Sequence, residues 1–237
     1  MKKLIFILAI VVMFVACKDE MTNSTAPAPE STVAAPASME KTQSAWSSCD
    51  KWASYTSGGY TVYNDVWGSG AGTQCIYANS STNWYVYSTQ SGSGVKSYPN
   101  SSKSINRSNT SSCSSSMSVS HPGSGAYNAS WDIWIPGEMM VWIVKQGSVG
   151  PIGSLKYSSV SVGGGTWNVY QGSGVVSFIK TSNSSSASID VKALCAYCIS
   201  KGWASSGSTI GQVQGGFEIT STGGSQKTFT MNSYSVN

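Results

Sequence analysis

Residues 129–144 read ASWDIWIPGEMMVWIV, two apolar runs separated by Pro136 and Gly137. Each run is short and rich in aromatic and β-branched residues, and each reads as a strand. Side chains alternate between the two faces of a strand. Trp131 and Ile133 therefore share one face, and Asp132 and Trp134 the other. In the second run Met139, Val141 and Ile143 point to the core, leaving Glu138, Met140 and Trp142 on the opposite face. A carboxylate is costly to bury unless it is paired, hydrogen-bonded or put to use. Glu138, at the head of such a run, therefore needs a reason to be there.

The same pattern recurs outward in both directions. YTVYNDVW, CIYA, WYVYST, SMSVSH, WNVYQ, VVSFIK, GFEITST and TFTMNSYSV are short apolar or alternating runs, broken by Gly, Ser and Asn clusters. Sustained helical spacing occurs at 189–202, IDVKALCAYCISKG, where Ile189, Val191, Leu194, Cys195 and Cys198 recur every three to four residues. Asp190 suits the helix N-terminus, and Gly202 after Lys201 suits its end. The prediction is an all-β domain, a sandwich or jelly roll with one α-helix.

Composition narrows the function. The 237 residues carry a formal charge of +4, but only 10% are charged, so the basic balance reflects few acids. The basic residues are scattered, and nucleic-acid binding has little support. The chain has 9 Trp and 12 Tyr among many Ser, Asn and Gly residues, a surface chemistry suited to a neutral polar ligand such as carbohydrate. A secreted β-protein that uses Ser and Thr for solubility is the plainer alternative.

The N-terminus, MKKLIFILAIVVMFVAC, places two lysines before an apolar stretch too short to span a membrane. Phe14, Val15 and Ala16 then meet Cys17, which resembles a bacterial lipobox with Phe14 at the usual Leu position. Residues 1–17 are thus predicted to be a signal peptide of lipoprotein type, with Cys17 lipidated. A signal peptide of the ordinary kind cut nearby is the alternative. Residues 18–45 are rich in Ala, Pro, Ser and Thr and read as a disordered tether. Residues 46–237 form the folded domain. Export follows, with an outer-membrane or cell-surface lipoprotein expected and a secreted protein otherwise. The lipid anchor is the only membrane contact expected, and the chain is expected to be a monomer.

Beyond Cys17 five cysteines remain, so at least one is unpaired. Cys195 and Cys198 form a CxxC at i, i+3 on the predicted helix. Zinc would need further ligands, and the chain offers only His121, so two small core residues on one helix face are the better reading. No metal or cofactor is expected. His121, between Ser120 and Pro122, is assigned to a strand end or turn. Whether Cys113 pairs with either helix cysteine is open.

From residue 46 onward there are six acidic residues, Asp50, Asp65, Asp132, Glu138, Asp190 and Glu218, of which two are glutamates. Both glutamates fall inside predicted strands. In GGFEITS, Phe217 and Ile219 point to the core, and Glu218 and Thr220 point away. Three carboxylates therefore lie on polar faces lined with Trp and Met. Glycoside hydrolysis needs one carboxylate and one carboxylic acid flanking a sugar bond, and aromatic rings stack on sugar faces. Two solvated glutamates on the outside of a sandwich are the alternative.

Taken in order, these blocks resemble glycoside hydrolase family 12, β-1,4-endoglucanases of the β-jelly-roll type. SSCDKWASYTSGGYTVYNDVWGSGAGTQC is similar to the family's N-terminal block, and YNDVWG to its NNxWG motif, with Asp65 where Asn is usual. GVKSYPN, ASWDIW, GEMMVW, GPIGS, DVKALCAYCISKGW and QGGFEITSTGG follow in family order. The resemblance covers nearly all of 47–237. It implies a disulfide between Cys49 and Cys75, Glu138 as nucleophile, Glu218 as general acid/base, and retention at the anomeric carbon. It places Asp132 beside the nucleophile and hydrogen-bonded to it. Trp67 would stack on a sugar, with Asn64 close by, and Met140 and Trp142 would line a concave cleft.

The expected activity is endo-β-1,4-glucan hydrolysis on cellulose-type or mixed-linkage β-glucans. Alternatives are a xyloglucan-specific enzyme on the same fold and a non-catalytic β-glucan-binding surface lipoprotein. Retention of both glutamates favours an enzyme over a pure binder.

Overall fold

The computed structural model describes residues 44–237. The signal peptide, lipidation at Cys17 and tether expected from the sequence fall, up to residue 43, outside the described residues. Among those described, no helix is long and apolar enough to cross a membrane.

Two sheets face each other. The smaller has six strands in the order β1 (Trp46–Ser48), β4 (Thr73–Ser80), β5 (Asn83–Thr89), β15 (Lys227–Val236), β7 (Ser114–Ser120) and β13 (Ser186–Asp190). The larger has nine. One half runs β10 (Ser154–Val162), β11 (Gly165–Gly172), β12 (Val175–Lys180), β9 (Gly137–Gln146) and β8 (Ala126–Ile135). It continues through β14 (Thr209–Ser221), β6 (Asn100–Ser108), β3 (Tyr60–Tyr63) and β2 (Ser54–Ser57). Neighbours pair antiparallel except β12 with β9, which run parallel. This is the expected jelly roll, with one helix among the described residues.

The alternating residues fill the space between the sheets. Ile76, Trp84, Val86 and Phe229 come from the smaller sheet, and Trp131, Ile133, Met139, Val141 and Phe217 from the larger, all fully buried in one core. Buried indoles need a partner for their N–H. Trp84 donates to Ser101 Oγ at 2.7 Å and Trp131 to Ser115 Oγ at 2.8 Å.

The helix α1 (Val191–Ser200) is shorter than the predicted 189–202. Ile189 is the last core residue of β13, paired with Ser115, and not part of the helix face. Asp190 ends the strand and caps the helix, its carboxylate accepting from Ala193 N at 3.0 Å. Gly202 follows the C-cap with φ +71°, the left-handed geometry that ends many helices. The helix buries Val191, Leu194, Cys195 and Cys198 in the main core. Cys49 and Cys75 form a disulfide. Cys113, Cys195 and Cys198 are free and buried, and burial pushes the helix thiols up to about 12, where they are unreactive.

The apolar runs found their strands, with one shortening. The strand expected through YTVYNDVW stops at Tyr63, because Asp65 turns the chain with φ +42°. The short strands β1 and β2 and the polar strands β6, β10 and β13 were not among the predicted runs. β10 is exposed along nearly its whole length and alternates little in hydrophobicity.

Candidate active site

The face of the nine-stranded sheet turned away from the core carries the carboxylates. On β8, Asp132 lies opposite Met140 of β9 and Gln214 of β14. Glu138 lies opposite Trp134, and Glu218 opposite Asn128. Trp134 and Asn128 are six residues apart on β8, which on a flat sheet would separate the two glutamate positions by about 20 Å. Yet both side chains line one cavity, and the charge of Glu138 acts on Glu218. The face is therefore concave, and its curvature turns the two carboxyls toward each other.

That cavity has a volume of about 440 Å³. Its walls hold Asp132, Glu138 and Glu218, the rings of Trp67, Tyr98 and Trp134, and the polar groups of Asp65, Gln212 and Gln214. A second cavity of about 290 Å³ shares Asp65, Gln212 and Gln214 and extends past Tyr63 and Asn100 to Trp52. A third of about 190 Å³ shares Glu218 and is walled by Asn128, Trp142, Thr220 and the segments at 94–95 and 148–150. The three join into a groove with Glu218 between the central cavity and one arm. Trp52, Trp67 and Trp134 are 69%, 51% and 44% exposed, so their ring faces are open to a ligand.

Electrostatics follow from burial among carboxylates. Burial raises the Glu218 carboxyl, a hydrogen bond from Asn128 Nδ2 to Oε2 opposes the rise, and the charge of Glu138 adds to it. Asp132 is held well above the ordinary carboxylate range by burial first, then by Glu218 and Glu138. Hydrogen bonds from Ser130 and Tyr98 partly offset this, Ser130 Oγ lying 3.4 Å from Asp132 Oδ1. Burial alone raises Glu138, and it lifts Asp65 to about 6. Crowding and burial thus favour one carboxyl staying protonated beside another that is ionised.

The structure brings Glu138, Glu218, Asp132 and Trp67 to the central cavity and Trp142 to the arm beside Glu218. Met140 is buried with Val175 and Ile179 in a small cluster on this side of the sheet and is not part of any of the three cavity walls. Asn64 departs furthest from expectation. It is fully buried, its Nδ2 donates to the carbonyls of Asp50 (2.9 Å) and Gln74 (3.3 Å), and its Oδ1 accepts from Gln74 Nε2 at 3.0 Å. It secures the turn under the groove, and its neighbour Asp65 faces the groove instead. His121 directly follows the end of β7, with Nδ1 2.8 Å from the Tyr127 hydroxyl.

Several wall residues were not singled out from sequence. Gln212 and Gln214 precede Glu218 at even spacing on β14, so alternation alone could have found them, as it placed Trp134 with Asp132. Trp134 Nε1 donates to Gln214 Oε1 at 2.7 Å, which sets the ring's orientation. Tyr98 and Trp52 lie on connections, where periodicity gives no signal. Among the described residues, no three His, Cys, Asp or Glu side chains gather as metal ligands.

A family model described as glycosyl hydrolase family 12 matches residues 58–237. The xyloglucan-specific endo-β-1,4-glucanase A of Emericella nidulans is 32% identical over 79% of this chain and 89% of its own length. Endoglucanase S of Pectobacterium parmentieri is 29% identical over 68% of this chain and 75% of its own. Among solved structures, the xyloglucanase domain of NopAA, a type three effector from Sinorhizobium fredii, was determined with cellobiose. It matches at a TM-score of 0.78 and 35% identity, covering 81% of this chain and 98% of that one.

Proposed function

The chain belongs to glycosyl hydrolase family 12, and from that premise we propose that it is a retaining endo-β-1,4-glucanase working through Glu138 and Glu218. The observation that carries the reading is the cleft in which these two carboxyls and Asp132 meet between exposed tryptophans. Glu218, kept protonated by burial and the charge of Glu138, donates its proton to the glycosidic oxygen as the C–O bond breaks. Glu138, ionised, attacks the anomeric carbon and forms a glycosyl-enzyme. Glu218, now a carboxylate, takes a proton from the water that attacks the same carbon, and Glu138 leaves. Two displacements give net retention. Asp132, in diagonal register with Glu138 and held above its ordinary range, supplies a carboxylic O–H toward the nucleophile and tunes its charge. Trp67 stacks on a sugar in the central cavity, and Trp52 extends the same support outward. Trp142 lines the opposite arm.

Relatives named as xyloglucan-specific favour a second reading, in which the groove prefers a branched β-1,4-glucan. The arm beside Glu218 is walled in part by Gly94, Val95, Ser148 and Gly150, small residues that leave room for a sugar branch. Export, lipidation at Cys17 and a tether over 18–45 are proposed with it, since the Cys49–Cys75 disulfide suits an oxidising compartment.

The test is reducing-sugar release by residues 46–237 from carboxymethyl-cellulose, mixed-linkage β-glucan and xyloglucan. Glu138→Gln and Glu218→Gln are each expected to lose at least about 100-fold on every substrate cleaved. Proton NMR of the first anomer should report retention. Full activity in either variant would sink the assignment, and binding without cleavage by the wild type would mark a glucan receptor.

A further inference from the structure

Glu218 has one hydrogen-bonding neighbour across the ladder, Asn128. The two residues are directly opposite in the β8–β14 register, and Asn128 is itself 1% exposed. Its Nδ2 donates to Glu218 Oε2. Its other end is different: Asn128 Oδ1 is buried without a hydrogen-bond partner. The idle carbonyl adds nothing to stability, because a buried acceptor left without a donor carries its desolvation cost. What this amide does is present an N–H to one carboxylate oxygen.

The surroundings give that N–H a purpose. The titratable groups that share the cavity of Glu218 are Glu138 from β9, Asp132 from β8, Tyr98 from the segment before β6 and Asp65 from the turn after β3. On the strand beyond Asn128, Lys145 lies opposite it but is exposed. Burial and the Glu138 charge both disfavour an ionised Glu218, and the Asn128 hydrogen bond is the contact that favours it. Yet the reaction leaves Glu218 ionised halfway through, when it must be aimed at a water.

We propose that Asn128 is a positioning residue that acts through Glu218: its amide N–H steadies the negative charge that appears on Oε2 as the proton leaves, and fixes that carboxylate for the second displacement. This rests on the assignment of Glu218 as acid/base. It predicts that the benefit of Asn128 to kcat/KM, which reports the first displacement, is confined to substrates whose departure needs a proton. The partition of the pair also follows. Oε2 is engaged by Asn128, which leaves Oε1 as the oxygen that carries and delivers the proton.

Asn128→Leu removes the donor at nearly constant shape. Its kcat/KM on mixed-linkage β-glucan is expected to fall about tenfold. The alkaline limb of the pH profile is expected to move to higher pH, since Glu218 loses the contact that favours its ionised form. On dinitrophenyl cellobioside, whose leaving group needs no proton, kcat/KM should stay within about twofold of wild type. Glu218→Gln, run alongside, should show the same split more severely. Should Asn128→Leu fail to melt cooperatively, the pair Asn128→Thr and Asn128→Val replaces it. These two differ by one hydroxyl, and the threonine variant should keep its alkaline limb below that of the valine variant. An unmoved limb in Asn128→Leu, or equal losses on both substrates, would overturn the proposal while leaving the Glu218 assignment intact. Glucan cleavage surviving in Glu218→Gln would instead remove the assignment on which the proposal stands.

Discussion

Asn64 and Asp65 are adjacent and do opposite things, and only the fold separates them. In sequence both belong to the YNDVWG motif, and either side chain could meet a sugar. Asn64 turned inward satisfies the Asp50 and Gln74 carbonyls and the Gln74 amide. Asn64→Ala would leave those groups unpaired in the interior and is expected to cost about 2–3 kcal/mol of unfolding free energy. A urea titration measures it, and activity per folded molecule should hold. A loss of activity at unchanged stability would make Asn64 a ligand contact after all. Asp65 is half-buried in the groove, and burial lifts its carboxyl to about 6 against 3.8 in the unfolded chain. The native state therefore binds this proton more tightly. The stability it gives is complete below about pH 4 and is lost as pH rises through about 6. Asp65→Asn should melt higher than wild type at pH 8 and match it at pH 4, by scanning calorimetry at the two values.

Strands with a clear period were legible, and so were the residues that ride on them. Alternation in β8, β9 and β14 put Asp132, Glu138 and Glu218 on the face away from the core without reference to any partner strand. Register was not legible, since hydrogen bonding between β8 and β14 depends on residues far apart in the chain. Asn128 was missed for that reason: its significance is that it stands across from Glu218. Connections have no period to read, and Trp67, on one of them, was legible only through the YNDVWG motif. There the backbone N–H groups of Trp67 and Gly68 donate to the Lys96 carbonyl at 3.1 and 2.9 Å, and Lys96 Nζ reaches Ser69 O at 2.6 Å. The chains approach so closely that a Cβ on Gly68 would lie 2.1 Å from the Val95 carbonyl oxygen. Gly68→Ala must push this turn outward and take the Trp67 ring with it. KM for soluble glucan should rise several-fold while kcat changes less, because the carboxyls stand on β9 and β14. An unchanged KM would mean that the Trp67 ring does not contribute to binding.

Across the whole molecule, the sandwich places a dry core on one side of the nine-stranded sheet and four carboxyl groups on the other. Asp65, Asp132, Glu138 and Glu218 line the groove, and the walls of its three cavities contain no lysine or arginine. All four carboxyls are raised, chiefly by burial. The sign of the linkage is the same for each. Unfolded, these groups ionise near 3.8 to 4.5, and folded they hold their protons to higher pH, so unfolding releases protons and stability falls as pH rises from about 4 toward neutrality and beyond. The native protein should melt at a higher temperature near pH 5 than at pH 8. Charge-removing variants make the prediction specific. Glu138→Gln and Asp132→Asn should each raise the melting temperature at pH 8 by about 2–4 °C per kcal/mol of relieved strain, and by little or nothing at pH 4. Each should lose activity at the same time, because the crowding that destabilises the fold is what keeps one carboxyl protonated beside another that is ionised. A variant with full activity and a higher melting temperature at pH 8 would break that connection and show that the shifted carboxyls serve no purpose in the reaction.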